Sequence, residues 1–202
     1  MLNILGIGGH AKVIIQTVLL QYNYQIVIFD DDTSKHGLDF YGYKVQGSIN
    51  EFIYGPSIIA IGNNKIRNFI ANKSIGASWE IIIHPSAVIS TDVSIGEGTI
   101  VMAGAIIQPG AIVGRHCIIN SGSCIDHDCI LEDFVHVAPN CALAGGVKIG
   151  EGSFVGIGTS IIPNVEIGKW TTIGAGSAVI CNIPDNCLAL GVPAFIKKQT
   201  YD

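Results

Sequence analysis

From Ile83 onward the chain places an aliphatic residue at every sixth position. The series runs through Ile89, Ile95, Val101, Ile107, Val113, Ile119, Ile125, Leu131, Val137, Leu143, Ile149, Val155, Ile161, Ile167 and Ile173 to Val179. Four residues after nearly every one lies a small or β-branched residue, as at Ala87, Ala105, Cys117, Cys129, Cys141, Val147 and Ser177. One aliphatic and one small inward residue per six suit a triangular coil with three short flat sides and a narrow interior. Each coil then takes about eighteen residues, and parallel strands stack coil on coil, which is a left-handed parallel β-helix. A β-sandwich would need period two and hairpin turns, and the sequence has neither. Gly or Asn directly follows many of the aliphatics (Gly96, Gly114, Asn120, Gly150, Gly156, Gly168, Gly174), where corners are expected to need a permissive backbone. No insertion breaks the register.

Residues 1–80 follow a different pattern. LNILGIG predicts a buried strand, His10–Gln21 a helix, and YQIVIFDD a second strand ending in acids. SIIAIG predicts a third strand, NNKIRNFIANKSIG a second helix, and WEIII the entry to the first coil. Alternating strand and helix implies a parallel sheet with crossover helices. The expected organisation is therefore a truncated, Rossmann-like α/β domain over residues 1–80 and a β-helix with a C-terminal tail over 81–202.

The first turn, Gly6-Ile7-Gly8-Gly9-His10-Ala11, fits G-x-G-x-x-A, and Asp30 ends the next strand. Glycines let backbone N–H groups and a helix N-terminus approach a phosphate, while the acid reaches a ribose hydroxyl. Three readings stay open: the nucleotide of a nucleotide-sugar, an NAD-like cofactor, or a purely structural turn. The short unit favours the first, because it has no room for both mononucleotide halves of a full Rossmann domain. The second turn, Ile61–Arg67, is expected to face the same crevice, with Asn63 either lining it or capping the helix.

Composition narrows the partners. The 202 residues are 49% apolar and 13% charged with a net charge of −5, so there is no basic field to steer nucleic acid or an anionic membrane. No apolar run approaches the roughly 20 residues of a membrane span, and the start lacks the basic region of a signal peptide. The six cysteines include no CxxC pair, which points to reduced thiols and a cytoplasmic protein.

Beyond His84 at its start, the repeat holds three more of the six histidines. His127 and His136 are half a coil apart, on separate sides of one prism, and no pair has tight metal-ligand spacing, so no metal is expected. His127 lies between the inward Ile125 and Cys129 and therefore points outward beside Asp128. An imidazole oriented by a carboxylate suits general-base work. Asn120 and His136 are nearly one coil apart and should meet near one edge. These groups and His127 can share a site only across a subunit boundary.

The whole chain resembles the NeuD/PglD-like sugar acyltransferases of the hexapeptide-repeat superfamily. The resemblance rests on Gly8–His10, Asp30 and Asp31, the Ile-Gly-Asn-Asn-Lys-Ile-Arg stretch at 61–67, and Ile-His-Pro at 83–85. It extends to Asn120, Ile-Asp-His-Asp-Cys at 125–129, His136, and Leu-Gly-Val-Pro-Ala at 190–194. It implies a homotrimer that transfers an acetyl group from acetyl-CoA to a nucleotide-linked, UDP-type 4-amino-dideoxy sugar in bacterial glycan synthesis. O-acetylation of a sialic acid is the alternative, and a non-catalytic binding scaffold a third reading. The resemblance further implies His127 as general base with Asp128, where the family more often has Glu. Asn120, His136, Gly145, Ile157 and Ala175 would line the acetyl-CoA site, Ala175 standing where a relative has Gly. Gly8, Gly9, His10, Asp30, Asp31, Gly62 and Asn63 would line the nucleotide-sugar pocket.

Overall fold

The computed structural model describes residues 1–52, 55–74 and 76–199. In the N-terminal region β1 (Leu2–Leu5) is followed by α1 (Gly9–Gln21), β2 (Ile26–Phe29), β3 (Asp39–Phe40) and β4 (Tyr43–Gly47). Next come β5 (Pro56–Ile59), α2 (Asn64–Lys73) and β6 (Ser78–Trp79). The sheet order is β3-β4-β2-β1-β5-β6, parallel except for the β3–β4 hairpin. The predicted strands and helices are present with small boundary shifts; Ile75, within the second predicted helical stretch, lies outside the described residues. The hairpin was not predicted. Its Asp39-Phe40-Tyr41-Gly42-Tyr43 turn places Tyr41 and Gly42 at positive φ, and β4 then joins the edge of β2.

Every residue of β1 is buried, as in a parallel strand covered on both faces, and its one polar side chain, Asn3, donates to Ser57 Oγ at 3.2 Å. One face of α1 buries Ala11, Ile14, Ile15 and Val18, the spacing of an amphipathic helix. This core does not end at the domain. Leu2, Ile4, Ile14 and Ile28 share a cluster with Ile82, Ile100 and Met102 of the first coils.

Beyond β6 the chain forms the expected parallel β-helix. Each two-residue strand pairs with the strand eighteen residues later, as Ile82 with Ile100, Ile100 with Ile118 and Ile118 with His136. Among the described residues the strands form three sheets, the first containing His136–Val137, the second Cys124–Ile125 and the third Ile130–Leu131. The inward aliphatics fill one continuous core with the buried cysteines 117, 129, 141 and 187. The last step is shorter, since Thr172 pairs with Leu188, and the chain closes with Cys187–Leu190 antiparallel to Phe195–Gln199. Residues 200–202 of the predicted tail lie outside the described residues.

The glycine rule needs correcting. From Ile95 to Ile173 the left-handed backbone falls three residues after each aliphatic, at Gly98, Gly104 and Gly110 but also at His116, Asp128, Phe134 and Trp170. The glycines directly after the aliphatics are required by proximity instead. A Cβ on Gly150 would lie 2.6 Å from the Lys169 nitrogen and 2.8 Å from the Gly168 carbonyl carbon of the next coil.

The two kinds of glycine predict different costs. Gly104→Ala meets nothing closer than 3.9 Å and should lose only the conformational term, about 1–2 kcal/mol. Gly150→Ala must push backbone apart and should fall at or beyond the top of the about 1–3 kcal/mol overpacking range. Urea unfolding of both variants checks this; equal losses would contradict it.

Candidate active site

Two groups of functional side chains form on one chain. The first lies in the cleft between the N-terminal region and the first sheet of the prism. Gly8 is the N-cap of α1 with an ordinary φ of −76°, and neither it nor Gly9 has an atom within 4 Å of where a Cβ would sit. Neither conformation nor packing therefore demands glycine there, and open space lies over the backbone at a helix N-terminus. That is the arrangement a closely approaching anion needs.

His10 follows on α1 with its ring 6.4 Å from that of His136, and its buried Nε2 has no hydrogen-bond partner among the described residues. His136 Nδ1 lies 3.3 Å from the Gly62 carbonyl and its Nε2 lies 3.2 Å from the Asn120 amide nitrogen. A carbonyl only accepts, which assigns the proton to Nδ1 and makes Nε2 the acceptor for Asn120. Asn120 Oδ1 in turn accepts from the Ser121 N–H at 2.8 Å. The predicted meeting of Asn120 and His136 is thus a direct hydrogen bond. Burial, together with neighbouring His136 and Arg67, holds the His10 pKa down to about 3, and burial beside Arg67 holds His136 at about 4.

The cleft continues into a groove of about 370 Å³ lined by Gly62, Asn63, Lys65, Phe154, Trp170 and Thr172, among others. The Asn63 side chain accepts from the Ile66 N–H at 3.0 Å, so it caps α2 while its residue also borders the groove. Asp30 and Asp31 are engaged inside their own domain. Asp30 accepts from the N–H groups of Ile7 and Asp32 and pairs with Lys35 at 3.1 Å, and Asp31 accepts from the Ile49 N–H. Through Ile7, Asp30 braces the glycine turn.

The second group lies at the corner between the second and third sheets. His127 is exposed, its side chain 61% accessible, and its Nδ1 lies 2.8 Å from Asp128 Oδ2. The shorter carboxylate makes the contact directly because Asp128 occupies the left-handed position of the coil, at φ 58°. A carboxylate only accepts, so Nδ1 carries the proton and Nε2 is the basic nitrogen. The Asp128 hydrogen bond and then the Asp126 charge raise the His127 pKa. One coil further, Gly145 lies directly against the ring. A Cβ there would come 2.5 Å from both Cε1 and Nε2 of His127. Position 145 corresponds to Pro163 of the next coil and, two coils back, to Pro109, so the coil itself needs no N–H at this place. Ile157 and Ala175 are both exposed at the corner between the first and second sheets, away from His127 along the chain path.

Sequence reasoning missed Arg67, Phe154 and Trp170 as parts of this region. Arg67 was visible only as one letter of the 61–67 stretch, while Phe154 and Trp170 occupy ordinary outward and corner positions whose importance depends on what packs beside them.

Residues 1–74 match the PglD N-terminal domain family, and residues 92–127 and 146–181 match the bacterial transferase hexapeptide family of six repeats. The chain is 39% identical to perosamine N-acetyltransferase from Caulobacter crescentus, solved as a histidine-to-asparagine variant in complex with CoA and GDP-perosamine. That match has a TM-score of 0.91 and covers 98% of this chain and 97% of that one. It is 35% identical to the acetyltransferase domain of PglB from Neisseria gonorrhoeae in complex with acetyl coenzyme A, with a TM-score of 0.91 and coverage of 96% and 98%. It is also 41% identical over 109 residues to UDP-N-acetylbacillosamine N-acetyltransferase from Bacillus subtilis, a match covering 48% of this chain and about half of that protein, 49%.

Two measurements test the His127 corner. In Asp128→Asn the Nδ1–H keeps an acceptor but loses the carboxylate charge that favours the imidazolium, so an NMR titration should show His127 deprotonating at lower pH than in the parent. Gly145→Ala should displace the ring while leaving the fold intact, and activity should drop about 100-fold; a wild-type rate would separate Gly145 from the site.

Proposed function

The chain belongs to the hexapeptide-repeat sugar acyltransferases with a PglD-type N-terminal domain, and on that premise we propose that it transfers an acetyl group from acetyl-CoA to the amine of a nucleotide-linked, UDP-type 4-amino-dideoxy sugar. The observation that carries the reading is the His127–Asp128 pair, exposed and with its basic Nε2 against Gly145, on a chain whose full-length relatives were solved with CoA and an amino-sugar nucleotide. Those relatives are N-acetyltransferases by name, which favours an amine over the hydroxyl of the alternative reading.

Residues 1–80 would hold the nucleotide, with the phosphates over Gly8 and Gly9 and the sugar directed along Gly62 and Asn63. Residues 81–202 would supply the coenzyme site and the base. The amine attacks the thioester carbonyl carbon while His127 Nε2 takes its proton. The oxyanion that forms is met by the N–H of Gly145, left unused by the coil, and by the Asn120 amide. Collapse of the tetrahedral species breaks the carbon–sulfur bond, and coenzyme A leaves as thiol with a proton returned from His127. No acyl-enzyme is needed. The inward Cys129 is buried and burial pushes its thiol up to about 11, which removes it as a nucleophile.

A single prism does not complete this site. His127 and Gly145 stand at one corner, whereas Asn120, His136, Ile157 and Ala175 stand on or beside the first sheet. A homotrimer brings the two corners together. The outward side chains of the intervening second sheet include Cys124, Ala142, Ser160 and Ala178, small enough for neighbouring prisms to approach closely. In line with the composition, the setting would be the cytoplasm, with neither nucleic acid nor membrane as partner.

Purified protein mixed with acetyl-CoA and a panel of UDP-, dTDP- and GDP-linked amino sugars should release thiol, fastest with a UDP-linked 4-amino sugar. No release with any member would sink the proposal. His127→Ala should lower the rate about 10²–10⁴-fold.

A further inference from the structure

Arg67 is fully buried between α2 and the coils. Its Nε donates to the His116 carbonyl at 2.8 Å. Its Nη1 donates to the carbonyls of Ile61 at 3.1 Å and Gly62 at 3.3 Å. Its Nη2 donates to Asn64 Oδ1 at 2.8 Å and the Phe134 carbonyl at 2.9 Å. Every acceptor is neutral. Burying a cation without an anion is costly, and a neutral side chain could clamp two elements together at less expense. A charge kept in such a place calls for an electrostatic role. It is kept: burial lowers the guanidinium pKa only to about 10, so Arg67 is cationic at neutral pH.

The nearest beneficiary is His136. The Gly62 carbonyl receives both Arg67 Nη1 and His136 Nδ1, so the guanidinium fixes the group that fixes the imidazole. Among the described residues, four groups stand around that ring besides the Gly62 carbonyl: His10 from α1, Arg67 from α2, Asn120 from the preceding coil and the Phe154 ring from the next. None is a carboxylate. Protonation of His136 would turn Nε2 into a donor aimed at the Asn120 amide N–H, itself a donor. The amide would have to turn, and Asn120 Oδ1 would leave the Ser121 N–H.

We propose that Arg67 is a positioning residue for acyl transfer: it anchors the Gly62 carbonyl against His136 and, through its charge, keeps His136 a neutral imidazole whose Nε2 accepts from Asn120. Asn120 then presents its remaining N–H to the bound molecules in one fixed orientation. Burial and then the Arg67 charge hold the His136 pKa down, against the Gly62 carbonyl, whose hydrogen bond works the other way. His116, whose ring is stacked on Phe134 at 5.2 Å, flanks the guanidinium on its far side and is held down to about 4 by burial and then by Arg67. The role in transfer rests on the acetyltransferase reading; the state of the imidazole does not.

The test uses the full chain with Arg67→Gln and Arg67→Lys, and ¹⁵N-histidine NMR with His136 identified by the resonance lost in His136→Asn. In the parent, His136 should stay neutral with its proton on Nδ1 from pH 5 to 8. In Arg67→Gln burial remains but the charge is gone, so His136 should begin to protonate at the acid end of that range, with kcat falling about 10–100-fold and an added loss of rate on the acid side. Arg67→Lys, which keeps the charge with fewer bonds, should restore the neutral imidazole. A simple structural clamp would lower the melting temperature of Arg67→Gln and leave His136 neutral throughout, and that result overturns the proposal. If Arg67→Gln does not fold, Arg67→Lys decides: a neutral His136 with kcat within about threefold of the parent supports the charge role, and a kcat fallen tenfold or more with His136 still neutral overturns it. A protein without transfer activity on any amino sugar would remove the functional reading, while the titration would still report on Arg67 and His136.

Discussion

The structure depends on one constraint, the eighteen-residue step at which each coil hydrogen-bonds to the next. Strand pairs hold this step from Ile82 to Ala178, and it dictates what each corner position can be. The residue after the inward aliphatic faces backbone of the next coil, which selects glycine at Gly96, Gly114 and Gly150. The next residue projects from the corner with its N–H uncommitted to the ladder. The third turns left-handed. His127 occupies the projecting place and Asp128 the left-handed one, so a repeat that exists for stability also sets an imidazole and a carboxylate 2.8 Å apart. The same step lays Gly145 over the imidazole, where any side chain would collide with it.

Two environments then divide the histidines by role. His127 stands in solvent beside carboxylates, and its pKa is raised. Activity that uses the neutral base should therefore fade as pH drops through a value above that of an ordinary imidazole. His10 and His136 are buried around the Arg67 charge and are held near 3 and 4. They stay neutral wherever His127 is active, and they serve as hydrogen-bonding groups instead of proton carriers. The separation follows from surroundings alone, as with paired acids whose environments drive their pKa values apart.

The fold was legible because its signal is periodic: an aliphatic every six residues can be seen without knowing any contact. The outward direction of His127 and the meeting of Asn120 with His136 followed from the same arithmetic. Arg67 escaped because its meaning is entirely tertiary. An arginine on a helix reads as a solvated charge until the coil carbonyls of His116 and Phe134 are found around it. The β3–β4 hairpin escaped because two-residue strands carry no period. The corner glycines were noticed but misassigned, since a sequence cannot distinguish a glycine needed for its φ from one needed for its missing Cβ.

Arg67 and Asn64 also explain how two unlike domains act as one body. Asn64 Nδ2 donates to the carbonyls of Gly152 and Ser153, while Arg67 reaches those of His116 and Phe134. Positions 116, 134 and 152 are stacked one coil apart, so α2 is fastened to three successive corners of the prism. Gly62, at the N-terminal approach to the same helix, is thereby held at a fixed distance from His136. Under the proposed function, a turn that floated relative to the coils would place a sugar amine at random with respect to the thioester, and orientation is worth several orders of magnitude in rate. The buried charge thus links the ladder, which sets where chemistry is possible, to the α/β region, which sets what is delivered there.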